Sequence, residues 1–306
     1  MPNKLRRKDV AMTETLTTEW GQLAHPIRTD HPGAGKPPWK DNAYLAFWDP
    51  VNGINGVVHA STSPNAEGRR VRASIAIGGV SAEVAEDPPA GSYETPSIAF
   101  DLDGKVTVRS KDLEADLRLV PRGVPADYTA GKIIPELVPG EPLQHFQQAA
   151  IVTGSVTVCG TESVVAGVGL RDRTWGYRDE SAMFPEYIGL IADLDGEMLT
   201  VMKFAHADGS ARAEGFLLGE HARTVTDLSQ IARDASGLFA AAEITIEGGE
   251  HVTLRATRRT GGFWVPMGWE RVGPTMSAYD EFLELTTGNG GTGRGLVEQG
   301  IIRRLA

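Results

Sequence analysis

The chain has 306 residues, with 30 Lys plus Arg against 40 Asp plus Glu, a formal charge of −10, 36 glycines, seven histidines and one cysteine. That length fits two ordinary domains or one large one, and the acidic balance lacks the concentrated basic surface that a nucleic-acid partner requires. The single Cys159 excludes an intrachain disulfide and a Cys-rich zinc site, so a reducing, cytoplasmic compartment is the expectation.

Residues 1–37 begin with the basic MPNKLRRKDV and continue as AMTETLTTEW, without the apolar stretch of a signal peptide. They read as a disordered or extended N-terminal segment. No apolar run approaches the ~18 residues of a membrane span. From 38 to 140 the dominant signal is period-two alternation, which sets one face of a strand against a core and the other against water. Val71, Ala73, Ile75 and Ile77 alternate with Arg70, Arg72 and Ser74; Leu113, Ala115, Leu117 and Leu119 alternate with Glu114, Asp116 and Arg118; Val106 and Val108 form a shorter run. Prolines 121, 125, 135, 139 and 142 then punctuate a stretch with little alternation, read as a linker between two strand-built halves. From 141 to 306 the alternation returns at Val156/Val158, Ile244/Ile246 and Val252/Leu254/Ala256. Asp103-Gly104, Asp195-Gly196 and Gly248-Gly249 separate strand-like runs and predict tight hairpins. The best helical candidate is Val225 to Ala242, with Thr226 or Ser229 as cap and Gly237 as its weak point. No βαβ rhythm is present, which disfavours a doubly wound nucleotide-binding fold.

Several motifs fail on inspection. The tract Gly288 to Gly295 resembles a phosphate loop but lacks the Gly-Lys-Ser/Thr ending and leads into a strand, so it reads as a hairpin tip. There is no Gly-x-Ser-x-Gly elbow and no His-Glu-x-x-His. His25, His31, His59, His145, His206, His221 and His251 include no pair at the helical spacing that builds a metal face, so neither a metal site nor a cofactor is expected.

One segment is unusually polar for a strand: Gly169-Leu170-Arg171-Asp172-Arg173-Thr174-Trp175-Gly176-Tyr177-Arg178-Asp179. In a strand, Arg171, Arg173 and Trp175 share one face while Asp172 and Thr174 take the other. Two readings stand side by side. The cluster is an ion-pair and cation–π closure of a barrel end, or Asp172 or Asp179 lies at the mouth of an apolar cavity where burial makes it a proton donor. Guanidinium groups beside Asp172 would lower its pKa and favour the structural reading.

The same segment resembles the Arg-Asp-x-x-Trp-Gly-x-Arg signature of the carotenoid 1,2-hydratase (hydroxyneurosporene synthase)-like proteins. Asn42 to Pro50 resembles the opening strands of that family's first domain, and His145-Phe146-Gln147-Gln148 the start of its second, where the pattern is usually His-x-Glu-Gln and Gln147 replaces the Glu. The resemblance implies an all-β fold of two lipocalin-like antiparallel barrels or half-barrels, 38–140 and 141–306, around an apolar cavity. It also implies a lyase or isomerase, hydratase- or cyclase-like, acting on an apolar, isoprenoid-derived alkene. Asp172 is then the candidate acid, with His145 and Asp179 as further catalytic candidates. Arg171 and Arg178 would orient it, and Trp175, Tyr187, Gln148, Trp264 and Trp269 would contact substrate. The competing reading is a lipocalin-like binding protein without chemistry. A homodimer is compatible with either.

Overall fold

In the computed structural model, residues 19–29, 36–66, 68–131, 133–179, 185–206, 208–266 and 275–303 are described. Strands β1 (Trp39–Asp49), β2 (Ile54–Thr62), β3 (Arg70–Ile77), β4 (Val80–Glu86), β5 (Ile98–Asp101), β6 (Lys105–Arg109), β7 (Leu113–Asp127), β8 (Gln144–Val158) and β9 (Thr161–Tyr177) make one antiparallel sheet in the order β4-β3-β2-β1-β9-β8-β7-β6-β5. Strands β10 (Glu186–Leu194), β11 (Glu197–Ala205), β12 (Ala211–Leu218), β13 (Ala222–Arg233), β14 (Phe239–Ile246), β15 (Glu250–Pro266), β16 (Thr275–Thr287) and β17 (Thr292–Arg303) close into an up-and-down barrel. The expected all-β architecture of a barrel with a half-barrel is therefore what the chain adopts. Helical structure among the described residues is confined to the 3-10 turns Gly21–Ala24 and Glu247–Gly249, and no helix is long and apolar enough to cross a membrane.

The changeover between the two sheets falls between Tyr177 and Glu186, not near residue 140. The proline-rich span is not a free linker. Pro121 pairs with Ala150 inside β7, the register shifts between Arg122 and Ala126, and the following loop buries Tyr128, Ile133, Ile134 and Leu143 between the sheets. A bulge tolerates prolines because it gives up the ladder bonds they cannot donate.

The helix expected over Val225–Ala242 is also replaced by strand. The segment is β13, a turn and β14; Asp234 Oδ1 accepts from the backbone N–H groups of Ser236 (2.8 Å) and Leu238 (3.2 Å), and Gly237 takes φ +80°. Register shifts between Val225 and Asp227 and between Ser229 and Ala232 account for the helix-like spacing of its apolar residues. Each extra residue stretches the apolar spacing from two towards three, which imitates a helical period. The Asp195-Gly196 hairpin forms as expected, with φ +50° and +94° at its two central residues.

Each unit has its own core. Inside the half-barrel, Leu45, Phe47, Val58, Ile75, Phe100, Leu117 and Val152 pack together. The barrel interior is filled by Leu190, Leu199, Val225, Phe239, Ile244, Leu254, Leu285 and Val297, leaving a packed core where a lipocalin ligand would sit. A third cluster, including Ala46, Trp48, Leu170, Ile191, Met202, Phe263 and Phe282, joins the outer faces of the two sheets.

The N-terminal segment contributes to the first core where it is described. Trp20 and Leu23 are buried against the half-barrel; the Arg171 guanidinium stands 4.5 Å over the Trp20 ring and donates to the Leu23 carbonyl at 2.9 Å. His25 stacks on Trp175 at 5.1 Å, and its carbonyl accepts from Arg173 at 3.2 Å.

Arg173 and Asp41 form a fully buried ion pair, and the Tyr93 hydroxyl donates to the same Asp41 oxygen at 2.6 Å. Removing one member strands a charge in the core, a loss of about 3–5 kcal/mol. Arg173→Met should therefore lower urea-denaturation stability by that amount, and Asp41→Leu combined with Arg173→Met should lose less than the sum of the single variants. Strict additivity would show that the two side chains are not coupled.

Candidate active site between the two sheets

The alternation of β9 delivers the first half of the site. Arg171, Arg173 and Trp175 turn into the half-barrel, while Asp172 and Thr174 face the barrel across the interface. Cross-strand register then aligns a polar row, since directly opposed residues share a face. Gln147 of β8 lies opposite Asp172, Asp172 opposite Tyr44 of β1, Tyr44 opposite His59 of β2, and His59 opposite Arg72 of β3. The barrel answers with a second row in which Asp280 of β16 lies opposite Glu298 of β17, and Glu298 opposite Gly189 of β10. Between them is a cavity of about 90 Å³, its apolar wall made by Ile134, Ile191, Met202, Phe204 and Val265.

Asp172 is bonded through both of its carboxyl oxygens. Its Oδ2 accepts from Gln147 Nε2 at 2.9 Å and its Oδ1 from the Thr174 hydroxyl at 3.0 Å. His145 Nε2 stands 2.9 Å from Oδ2, yet out of line for a good hydrogen bond, so the imidazole is held beside the carboxylate with Nε2 unspent. Its Nδ1 meets the Thr174 hydroxyl at 3.0 Å, and Tyr128 packs edge-on against the ring at 5.1 Å. Gln147 is anchored in turn by the Thr200 hydroxyl, which Tyr128 also approaches at 3.1 Å.

Burial raises the Asp172 pKa, but the neighbouring His145 and the hydrogen bonds from Gln147 and Thr174 outweigh it and hold the carboxyl below its ordinary value. Asp172 is thus an ionised group that orients His145 and is poorly suited to donate a proton. Arg171 and Arg173, expected to keep it ionised, lie on the other face of the strand; the histidine supplies that effect.

Two barrel carboxyls behave oppositely. Burial pushes Asp280 up to about 7, although the hydrogen bond from Tyr44 and the charge of Arg72 oppose the rise. Tyr44 donates to Asp280 Oδ2 at 2.9 Å. Glu298, half-buried in the cavity lining, is pushed up to about 7 by desolvation and by the charge of Asp172, with Arg178 opposing. The Tyr187 hydroxyl donates to Glu298. It can reach because residue 300 is glycine: a Cβ there would come within 1.9 Å of the Tyr187 ring.

Of the residues expected from sequence, Asp172, His145, Arg178 and Tyr187 line the cavity together. Arg171 and Trp175 belong to the half-barrel core, and Gln148, whose side-chain amide donates to the Gly123 carbonyl at 2.9 Å, is outside the lining. Asp179 is half-buried outside the lining, and Trp264 is 53% exposed and leans on Tyr279. Trp269 lies outside the described residues. Sequence reasoning missed Tyr44, His59, Thr200, Asp280 and Glu298. A signal existed in Ala278-x-Asp280-x-Phe282 and Leu296-x-Glu298-x-Gly300, where an acid occupies a position whose same-face neighbours are apolar or small.

Asp280 and Glu298 bind protons more readily in the folded chain than at their ordinary values of 3.8 and 4.5. Their contribution therefore favours the folded state at acid pH and is lost as pH rises through about 7. Asp172 runs the other way, stabilising above its unfolded value and losing that contribution as pH falls. Infrared spectra should show a neutral-carboxyl band that titrates near pH 7 and shrinks in Asp280→Asn and Glu298→Gln. The stability of the wild type relative to Asp280→Asn should fall between about pH 4 and 7. A carboxyl band absent by pH 5.5 would contradict the assignment.

Comparison with solved structures places this geometry in a known fold. Kievitone hydratase from Nectria haematococca is similar at a TM-score of 0.56 and 14% identity, covering 94% of each chain. CghA with Sch210972 is similar at 0.59 and 13%, covering 92% of this chain and 95% of the other. A Nitrosomonas europaea protein assigned as AttH is similar at 0.58 and 14%, covering 89% of this chain and 98% of its own. At such identity the likeness concerns the fold. No curated protein matches the sequence. The family model described as a domain of unknown function, DUF7064, matches residues 26–300, and the chain belongs to that family.

Proposed function

We propose that the protein is an acid–base lyase or isomerase, of hydratase or cyclase type, acting on a compact, largely apolar unsaturated molecule held between the two sheets. The observation that carries this reading is the confrontation of unlike groups across one cavity. On one wall His145 is oriented by an ionised Asp172; on the other, Asp280 and Glu298 are poised near neutrality. Groups whose environments push their pKa values apart are what general acid–base chemistry at neutral pH needs.

In a hydration, a barrel carboxyl gives its proton to one alkene carbon, water adds to the other, and His145 Nε2 takes the proton that water releases. Return of that proton to the carboxyl restores the site, so atoms and charge balance without a further reactant. In an isomerisation or cyclisation the same pair protonates at one position and deprotonates at another. Tyr187 and Phe204, stacked at 5.4 Å, offer an aromatic face to an electron-poor carbon. The cavity volume of about 90 Å³ admits several waters at the ~10–15 Å³ each requires. That small space suits a compact substrate better than an extended isoprenoid chain.

The fold likeness to kievitone hydratase supports the hydratase form of the reading. The filled barrel core argues against a carrier that holds its ligand inside the barrel. Incubation with a panel of cyclic alkenes and tertiary alcohols in heavy-oxygen water should reveal label incorporation or isomerisation. His145→Gln and Asp280→Asn should each lower turnover by about 10²–10⁴-fold with the melting temperature kept. Binding by panel members without any turnover would support the non-catalytic alternative.

A further inference from the structure

Asp280 is fully buried in the cavity wall, and only half of its carboxyl is used. Tyr44 donates to Oδ2 at 2.9 Å, whereas Oδ1 has no hydrogen-bond partner. A buried carboxyl oxygen without a partner costs its full desolvation penalty, so such a group is completed by cavity water or by a polar group of the ligand that displaces it. Tyr44 is itself braced, with the His59 ring edge-on at 6.0 Å. Arg72 lies one register place beyond His59 on the same row, and its charge acts on Asp280. Its Nε donates to Glu83 at 2.8 Å and its Nη2 bonds the same oxygen, while the buried Nη1 has no partner.

These groups restrict what can sit against Oδ1. Asp172, Asp280 and Glu298 face the cavity and outnumber its Arg178 and His145, so a carboxylate or phosphate placed against Oδ1 would meet more acidic groups than basic ones. A purely apolar group would leave Oδ1 as unsatisfied as before. A hydroxyl suits both ionisation states, since it donates to a carboxylate oxygen and accepts from a protonated one. We propose that Asp280, fixed by Tyr44, is an oxygen anchor that binds a hydroxyl group of the substrate, making the cavity selective for uncharged, hydroxyl-bearing ring compounds. The inference rests on the inter-sheet cavity being the ligand site, as argued above, and needs no chemical step.

Fluorescence titration of the full chain with three matched probes tests it: 2-naphthol, 2-methylnaphthalene and 2-naphthoate. The wild type should bind 2-naphthol at least about tenfold more tightly than 2-methylnaphthalene, the gain expected of a hydrogen bond to a charged or nearly charged group. The naphthoate should bind most weakly. Asp280→Leu should abolish the naphthol preference while keeping the methylnaphthalene affinity. Tyr44→Phe, which leaves the carboxyl in place but unfixed, should reduce the preference part of the way and serves where the leucine variant does not fold. Equal affinity for naphthol and methylnaphthalene, preference for the naphthoate, or no binding of any probe would each overturn the proposal. A naphthol preference that survives Asp280→Leu would do the same. An intact preference with no turnover on any alkene removes the enzyme reading and leaves the anchor; turnover without the preference does the reverse.

Discussion

The alternation of a single central strand organises the molecule. Strand β9 lies between β1 and β8 in the nine-stranded sheet, so both of its edges are paired, and from Gly169 to Tyr177 both of its faces are buried. Its side chains must go alternately to one face or the other. Arg171, Arg173 and Trp175 enter the half-barrel, and Asp172 and Thr174 enter the cavity. A one-residue slip would bury the wrong charges on each side. The Asp41–Arg173 pair, fixed from β1, penalises that slip, so the ion pair holds the register that presents Asp172 to His145.

The two faces of this strand also use charge differently. In the half-barrel, arginines are held by a carboxylate, backbone carbonyls and aromatic rings, including Trp20 from the N-terminal segment. In the cavity three acids face Arg178 and His145, and the surroundings of the acids separate them. Asp172 has a histidine and several hydrogen-bond donors and stays ionised; Asp280 and Glu298 have burial and a tyrosine each and sit near neutrality. The difference arises because Asp172 comes from a polar row of the first sheet, while the barrel acids interrupt apolar runs on β16 and β17.

Much of the fold was legible because alternation and hairpin chemistry are local. The runs at 71–77 and 113–119 and the Asp195-Gly196 turn form as their residues dictate. The β13 bulges were not legible, since an inserted residue alters spacing without announcing itself, and neither was the burial of the loop after β7. At the site, Asp172, His145, Arg178 and Tyr187 could be named from a motif and its surroundings. Asp280 and Glu298 could not be connected to Asp172 and His145, because several strands intervene and only barrel closure against the first sheet brings the two rows face to face. The expected cavity differs in lining and in place: an apolar space inside the barrels is the expectation, whereas side chains fill the barrel and the open space lies between the units with charged and polar groups in its wall.

That location is the central claim, and methyl NMR tests it most directly. With 13C-labelled methyl groups and 2-naphthol as ligand, Ile191 and Met202 of the inter-sheet cavity should shift on binding, while Ile244 and Leu254 of the barrel interior stay in place. Shifts concentrated on Ile244 and Leu254, with Ile191 and Met202 unmoved, would put the ligand inside the barrel and contradict the account.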